Sequence, residues 1–149
     1  VDVAAQMVPG PIYLAGHSAG GHLVSRLGCK DVGLNCAARL SHILSISGVH
    51  DMRPLLHTAM HKELRLDLAE ATAESPALNT PRTAMRLTTW VGQNERPEFI
   101  RQSELLANVW AGLGADTACV IEPNRHHFDV IDGLCNPHSQ MVQSWLGNT

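Results

Sequence analysis

The hexapeptide Gly16-His17-Ser18-Ala19-Gly20-Gly21 follows directly on the apolar run Ile12-Tyr13-Leu14-Ala15. A G-x-S-x-G string at the end of a strand and the start of a helix makes a nucleophile elbow, a strained turn that lifts a serine hydroxyl above the sheet. Glycine is expected at positions 16 and 20 because side chains there would collide where the chain doubles back so tightly. The helix opens at the serine, so its amide groups and dipole point at negative charge developing beside Ser18.

Hydrophobic periodicity supplies the setting. Ile12–Ala15 reads as a buried parallel strand, and apolar Ala19, Leu23, Val24 and Leu27 then recur at helical spacing until Gly28. His42–Ser47 is a second strand, followed by Gly48. Residues 51–57 and 60–71 read as two short helices, with Leu64, Leu68 and Ala71 on one face of the second. After a loop from Ser75 to Pro81, Met85–Val91 and Thr117–Ile121 are the third and fourth strands. Between them lies a helix from about Pro97 to Ala111, with Phe99, Leu105, Leu106, Val109 and Trp110 on its apolar side. A last helix runs from about Pro137 to Leu146, capped by Asn136, with Met141, Val142, Trp145 and Leu146 facing inward. Strand–helix alternation of this kind predicts a parallel sheet.

The 149 residues suit one domain of ordinary globular composition. A net charge of -3 and scattered Lys and Arg give no nucleic-acid or anionic-membrane surface. No apolar stretch approaches the roughly 18 residues of a membrane span. Cys29, Cys36, Cys119 and Cys135 have neither CxxC nor zinc-finger spacing, so reduced, mostly buried thiols are expected.

A serine nucleophile needs a base, and the base needs an orienting acid. On an elbow of this type the chain order is serine, acid, histidine, with the catalytic loops at the carboxyl ends of the strands. The loop after the fourth strand holds two candidate bases, His126 and His127. The loop after the third strand offers Glu95, just before the helix opened by Pro97, and Glu98 inside its first turn. Asp51, which follows the second strand, competes with both. His57 and His61 lie four apart but lack an H-E-x-x-H glutamate and a third ligand, so no metal site is expected.

Five segments together resemble one family. They are Gly16-His17-Ser18-Ala19-Gly20-Gly21-His22-Leu23, Ser47–Leu55, Glu74–Leu78, Glu95–Ser103 and His127–Ile131. Their order resembles the kynurenine formamidase (arylformamidase) branch of the α/β-hydrolases, which adjoins the hormone-sensitive-lipase-like carboxylesterases. The resemblance covers nearly the whole chain.

The resemblance implies Ser18 as nucleophile and His127, the histidine before Phe128, as base. The family's acid is an aspartate before x-P-E-F, and the matching residue here is Glu95, a departure of one methylene. The Ala19 amide is implied as an oxyanion donor, and the family's His-Gly-Gly-type oxyanion loop has no counterpart in this chain. The fold class is therefore expected to be α/β: the C-terminal part of an α/β-hydrolase fold, a parallel sheet with helices on both faces. Residues 1–149 would be one domain lacking its N-terminal strands and oxyanion loop. Alone, they are expected to be poorly active and to expose an aggregation-prone strand edge. The implied reaction is hydrolysis of an aryl formamide such as N-formylkynurenine, with no cofactor and no metal. A carboxylesterase of small acyl esters and a non-catalytic hydrolase-like fragment are the alternatives. A small-molecule substrate, no nucleic acid, no membrane and a cytoplasmic location go with this reading, which leaves a homodimer open.

Overall fold

The run Leu40–Ile46 is almost wholly buried, as a parallel strand covered on both faces requires. It lies inside a four-stranded parallel sheet. The computed structural model describes residues 1–147, with elements in the order α1 (Asp2–Met7), β1 (Ile12–His17), α2 (Ala19–Leu27), β2 (Leu40–Ile46), α3 (His61–Leu64), α4 (Leu68–Ala73), β3 (Arg86–Gly92), α5 (Pro97–Gly112), β4 (Asp116–Glu122) and α6 (Gln140–Leu146). The strand order is β1-β2-β3-β4, every pairing is parallel, and β1 and β4 are the edges among the described residues.

Alternation along the inner strands sends side chains to opposite faces. Ile43 and Leu87 pack with Val24 of α2 and with Leu106 and Trp110 of α5. Leu44, Ile46 and Trp90 pack on the other face with Met141 of α6 and with Val130, which opens a 3-10 turn before it. The expected arrangement, an α/β parallel sheet with helices on both faces, is what the chain adopts. Because all four strands run the same way, the loops after β1, β2, β3 and β4 gather at one end of the sheet.

Several local expectations are corrected. The sequence pattern gave no sign of α1, a six-residue helix too short to hold on propensity alone. It is clamped from outside: Asp2 accepts the N–H groups of Asn35 and Cys36, and Arg39 donates to the carbonyls of Ala5, Val8 and Gly10. In α2, Leu23 is 60% exposed, and Gly21, Val24 and Ser25 face the sheet instead. Residues 53–57 form a 3-10 turn rather than an α-helix. The expected helix 60–71 breaks at Arg65, which has a left-handed φ of 52°. A new helix starts there because Asp67 and Glu70 form a reciprocal capping box. Leu64 and Leu68 consequently stand exposed, and only Ala71 is buried.

The last helix begins later than expected. Ser139 caps it by accepting the Val142 N–H, while Asn136 accepts from His138 in the preceding turn. That shift leaves Leu146 exposed at the helix end. The cysteines divide evenly: Cys29 and Cys36 are buried, whereas Cys119, on the edge strand β4, and Cys135 are exposed.

Candidate active site

Ser18 sits between the end of β1 and the first turn of α2 with φ 56° and ψ -117°. This is a strained backbone for a residue with a Cβ, and such strain persists only where the surroundings enforce it. The surroundings do so through the Ser18 N–H, which donates to the Ile46 carbonyl at 2.9 Å. At Gly16, a Cβ would overlap the Gly20 carbonyl, so only glycine allows the chain to fold back there. The expected crowding at Gly20 is not found, because a Cβ at that position meets nothing within 4 Å. The second confined glycine is Gly21, where a Cβ would lie 2.8 Å from the Gly48 Cα and from Ser45 Oγ. The reason is geometric: α2 leaves the turn with residue 21, not residue 20, against the loop after β2.

His127 stands in the loop after β4. Its Nε2 lies 3.1 Å from Ser18 Oγ and its Nδ1 lies 2.7 Å from Glu95 Oε2. An ionised carboxylate only accepts, so the Nδ1 proton points at Glu95 and the Nε2 lone pair is left for the serine hydroxyl. Glu95 follows β3, and its side chain is fully withdrawn from solvent. Its Oε1 accepts from the Ser47 hydroxyl at 2.5 Å and from the Gly92 N–H at 2.8 Å. The His127 ring is flanked by Phe99, centroids 4.4 Å apart, and by His17 at 4.6 Å. His17 also donates from Nε2 to the His127 carbonyl at 2.8 Å. Burial holds the His17 imidazole below its usual value, with the bond to the His127 carbonyl acting in the opposite direction.

The other candidates lie elsewhere. Asp51 is engaged by Arg53 through both carboxylate oxygens, and that guanidinium keeps its carboxyl below the usual range. Glu98 binds Arg101 and Gln102. His126 points outward and accepts the Phe128 N–H while lying 3.4 Å from Asp129. Among the described residues, no group of three His, Cys, Asp or Glu side chains is placed to hold a metal ion, His57 and His61 included.

Ala19 is the first residue of α2, so its N–H has no acceptor within the helix and is free to face a ligand beside Ser18. A pocket of about 190 Å³ opens there, walled by Val49, Met52, Leu55, Met60, Leu64 and Phe99. A cavity of about 150 Å³ accommodates benzene, so one ring or a short acyl chain suits this space. Met52 and Met60 give its wall an adaptable surface.

Sequence reasoning passed over Ser47, Gly92, His17 and Gln102 as parts of this site. Gln102, buried on α5, accepts the N–H groups of His50 and Asp51 and so fixes the loop after β2. The available signal for Ser47 was its place as a hydroxyl residue at the carboxyl end of a strand.

A parallel sheet layered by helices, with a serine on a tight β1–α2 turn and a histidine and a carboxylate after later strands, defines the α/β-hydrolase fold. Within that fold the chain is similar to kynurenine formamidase of Danio rerio, 28% identical over 141 residues that cover 91% of this chain and 48% of the relative. It is also similar to a solved protein of Silicibacter sp. TM1040 to which a thioesterase activity is ascribed. That structure is 40% identical with a TM-score of 0.88, over 97% of this chain and 54% of the other. An esterase from Thermogutta terrifontis shares the fold at 19% identity and a TM-score of 0.57, over 77% of this chain and 45% of the esterase. No family model matches the chain. The resemblance read from the five sequence segments is thus supported, and the chain spans about half the length of the curated relatives it matches. Among the described residues, no helix is long and apolar enough to cross a membrane.

Proposed function

We propose that the chain carries the nucleophile, base and acid of a serine hydrolase that works through an acyl-enzyme. The observation that carries this reading is the continuous hydrogen-bonded series from Glu95 through His127 to Ser18. In the reaction, His127 Nε2 takes the Ser18 proton as Ser18 Oγ attacks a carbonyl carbon. The Ala19 N–H donates to the oxyanion that forms. His127 then passes its proton to the departing amine or alcohol, and water repeats the sequence in reverse on the acyl-serine. Glu95 holds the imidazole in the required tautomer and stabilises the imidazolium. A second oxyanion donor would come from the upstream His-Gly-Gly-type loop that the family resemblance implies.

The substrate we propose is an aryl formamide such as N-formylkynurenine, which the kynurenine formamidase relatives and a ring-sized apolar pocket beside Ser18 support. A carboxylesterase of small acyl esters is the second reading. It is favoured by the same pocket wall, whose Met52, Leu55, Met60 and Leu64 suit a short acyl chain. A cytoplasmic location belongs to the proposal and agrees with four free thiols.

Release of kynurenine from N-formylkynurenine, measured beside a short-chain nitrophenyl ester and a Ser18→Ala control, tests both. Formamide hydrolysis abolished by the substitution supports the first reading, and ester cleavage alone supports the second. If a fluorophosphonate fails to label Ser18 in the intact protein, the site is non-catalytic. His127→Ala should remove activity while His126→Ala leaves it near the parental rate.

A further inference from the structure

We propose that Ser47 is a positioning residue for the acid–base pair, its hydroxyl deciding which oxygen of Glu95 faces the imidazole. The inference rests on the roles proposed above for Ser18, His127 and Glu95.

The carboxylate of Glu95 is held asymmetrically. Oε1 takes two donors, the Ser47 hydroxyl at 2.5 Å and the Gly92 N–H at 2.8 Å. Oε2 takes His127 Nδ1 at 2.7 Å. A glutamate has one more torsion than an aspartate, and its terminal torsion is broad, so an unsupported carboxylate would swing between arrangements. Two donors fixed on Oε1 remove that freedom. They also satisfy a carboxylate that burial would otherwise leave poorly solvated.

Ser47 has no other evident reason to be a serine. It is fully buried, and its backbone has a left-handed φ of 49°, the region that glycine adopts without strain. Its N–H is fixed by the Trp90 carbonyl at 2.7 Å, so the turn is secured by the main chain. Glycine would serve that backbone better; what serine adds is the hydroxyl, and the hydroxyl goes to Glu95. Ser45, two residues earlier, shows the contrast, since its hydroxyl donates to the Gly21 carbonyl and lies 3.4 Å from His50 Nε2, so that its bonds go to neither the acid nor the base.

The test compares Ser47→Ala and Ser47→Gly with the parent and with Ser45→Ala. Both Ser47 variants should lose about 10–100-fold in kcat, the effect of removing one hydrogen bond to a charged group. KM should stay within about threefold, because the interaction lost is not with bound substrate. A hydroxyl donor favours the ionised carboxylate, so its removal strengthens the hold of the pair on a shared proton. The acid limb of the kcat/KM profile should therefore move to higher pH in both variants and not in Ser45→Ala.

The His127 ring resonances, followed by NMR in a Ser18→Ala background with and without Ser47→Ala, should titrate at correspondingly higher pH. If neither the acid limb nor the His127 titration moves, the proposal is overturned, even where kcat falls along with thermal stability. Should Ser18→Ala leave hydrolysis intact, the serine-hydrolase reading fails, and the His127 titration still decides the role of Ser47.

Discussion

Glu95 Oε2 and His127 Nδ1 meet at 2.7 Å across 32 residues of sequence, from a glutamate side chain with no solvent exposure. Glu95→Gln would present an amide to the ring and allow the wrong tautomer, so kcat is expected to fall by about 10⁴. In Glu95→Asp the carboxylate retreats by one methylene and has to give up either the ring or its own donors. A displacement of that size costs about 10²-fold. Steady-state kinetics of both variants measure this, and an aspartate variant as fast as the parent would show that the longer side chain is incidental.

The two glycines after Ser18 are expected to behave oppositely. At Gly20 a methyl group meets nothing within 4 Å, so Gly20→Ala should stabilise the helix by up to about 1 kcal/mol. Gly21→Ala drives a methyl group against the Gly48 backbone and should cost about 1–3 kcal/mol, as overpacking does. Chemical denaturation of the two variants gives the comparison, and equal effects would contradict it.

Gln102 is a stabilising residue rather than a reacting one. Its Oε1 accepts two buried N–H groups, at 2.8 Å from His50 and 2.7 Å from Asp51. Gln102→Ala leaves both without a partner and should destabilise the protein by about 2–4 kcal/mol. Gln102→Glu keeps the acceptor but loses the amide that donates to the Asp51 carbonyl and to Glu98, and it sets two carboxylates together. It should recover none of the loss in the same urea titration.

His50 makes stability depend on pH. Complete burial pushes its imidazole from 6.5 down to about 3. The folded state therefore keeps His50 neutral while the unfolded chain takes up a proton below pH 6.5. Folding is unpenalised above that value and loses about 1.4 kcal/mol per pH unit as the pH falls toward 3. Urea midpoints from pH 7 to pH 4 should decline accordingly, and His50→Leu should flatten the decline. His17 and His42, also held down by burial, add to the slope.

Elements with strong periodicity were legible in the sequence. The inner strands are continuous apolar runs, and α5 has a first-turn proline and an apolar stripe. Structure imposed by distant partners was not legible. No local pattern announces that Arg39 will clamp α1, or that the Asp67–Glu70 box will split an apparent helix. At the site, strand–loop order narrowed the choice to Ser18, to Glu95, Glu98 or Asp51, and to His126 or His127, and the family resemblance then singled out Glu95 and His127. Ser47, Gly92 and His17 could not, because their part depends on which atoms meet across loops. The difficulty with Gly20 had the same origin: the crowding belongs to the direction in which α2 departs, which composition does not encode.

The loops after β3 and β4 are laced together. Gln93 donates to the Glu122 carbonyl and Asn94 to the Arg125 carbonyl, both at 2.8 Å, and a side chain at Gly92 would strike Arg125. The carboxylate and the imidazole therefore ride on a single mechanical body. Ser18 rides on another, hung from β1 and secured by its own N–H on the Ile46 carbonyl and by the His17 bond to the His127 carbonyl. The 3.1 Å gap between Ser18 and His127 is the seam between these bodies. In the proposed reaction, proton transfer then depends on how β1 seats beside β2, and a force on β1 would act as a throttle on chemistry while leaving the acid and base undisturbed.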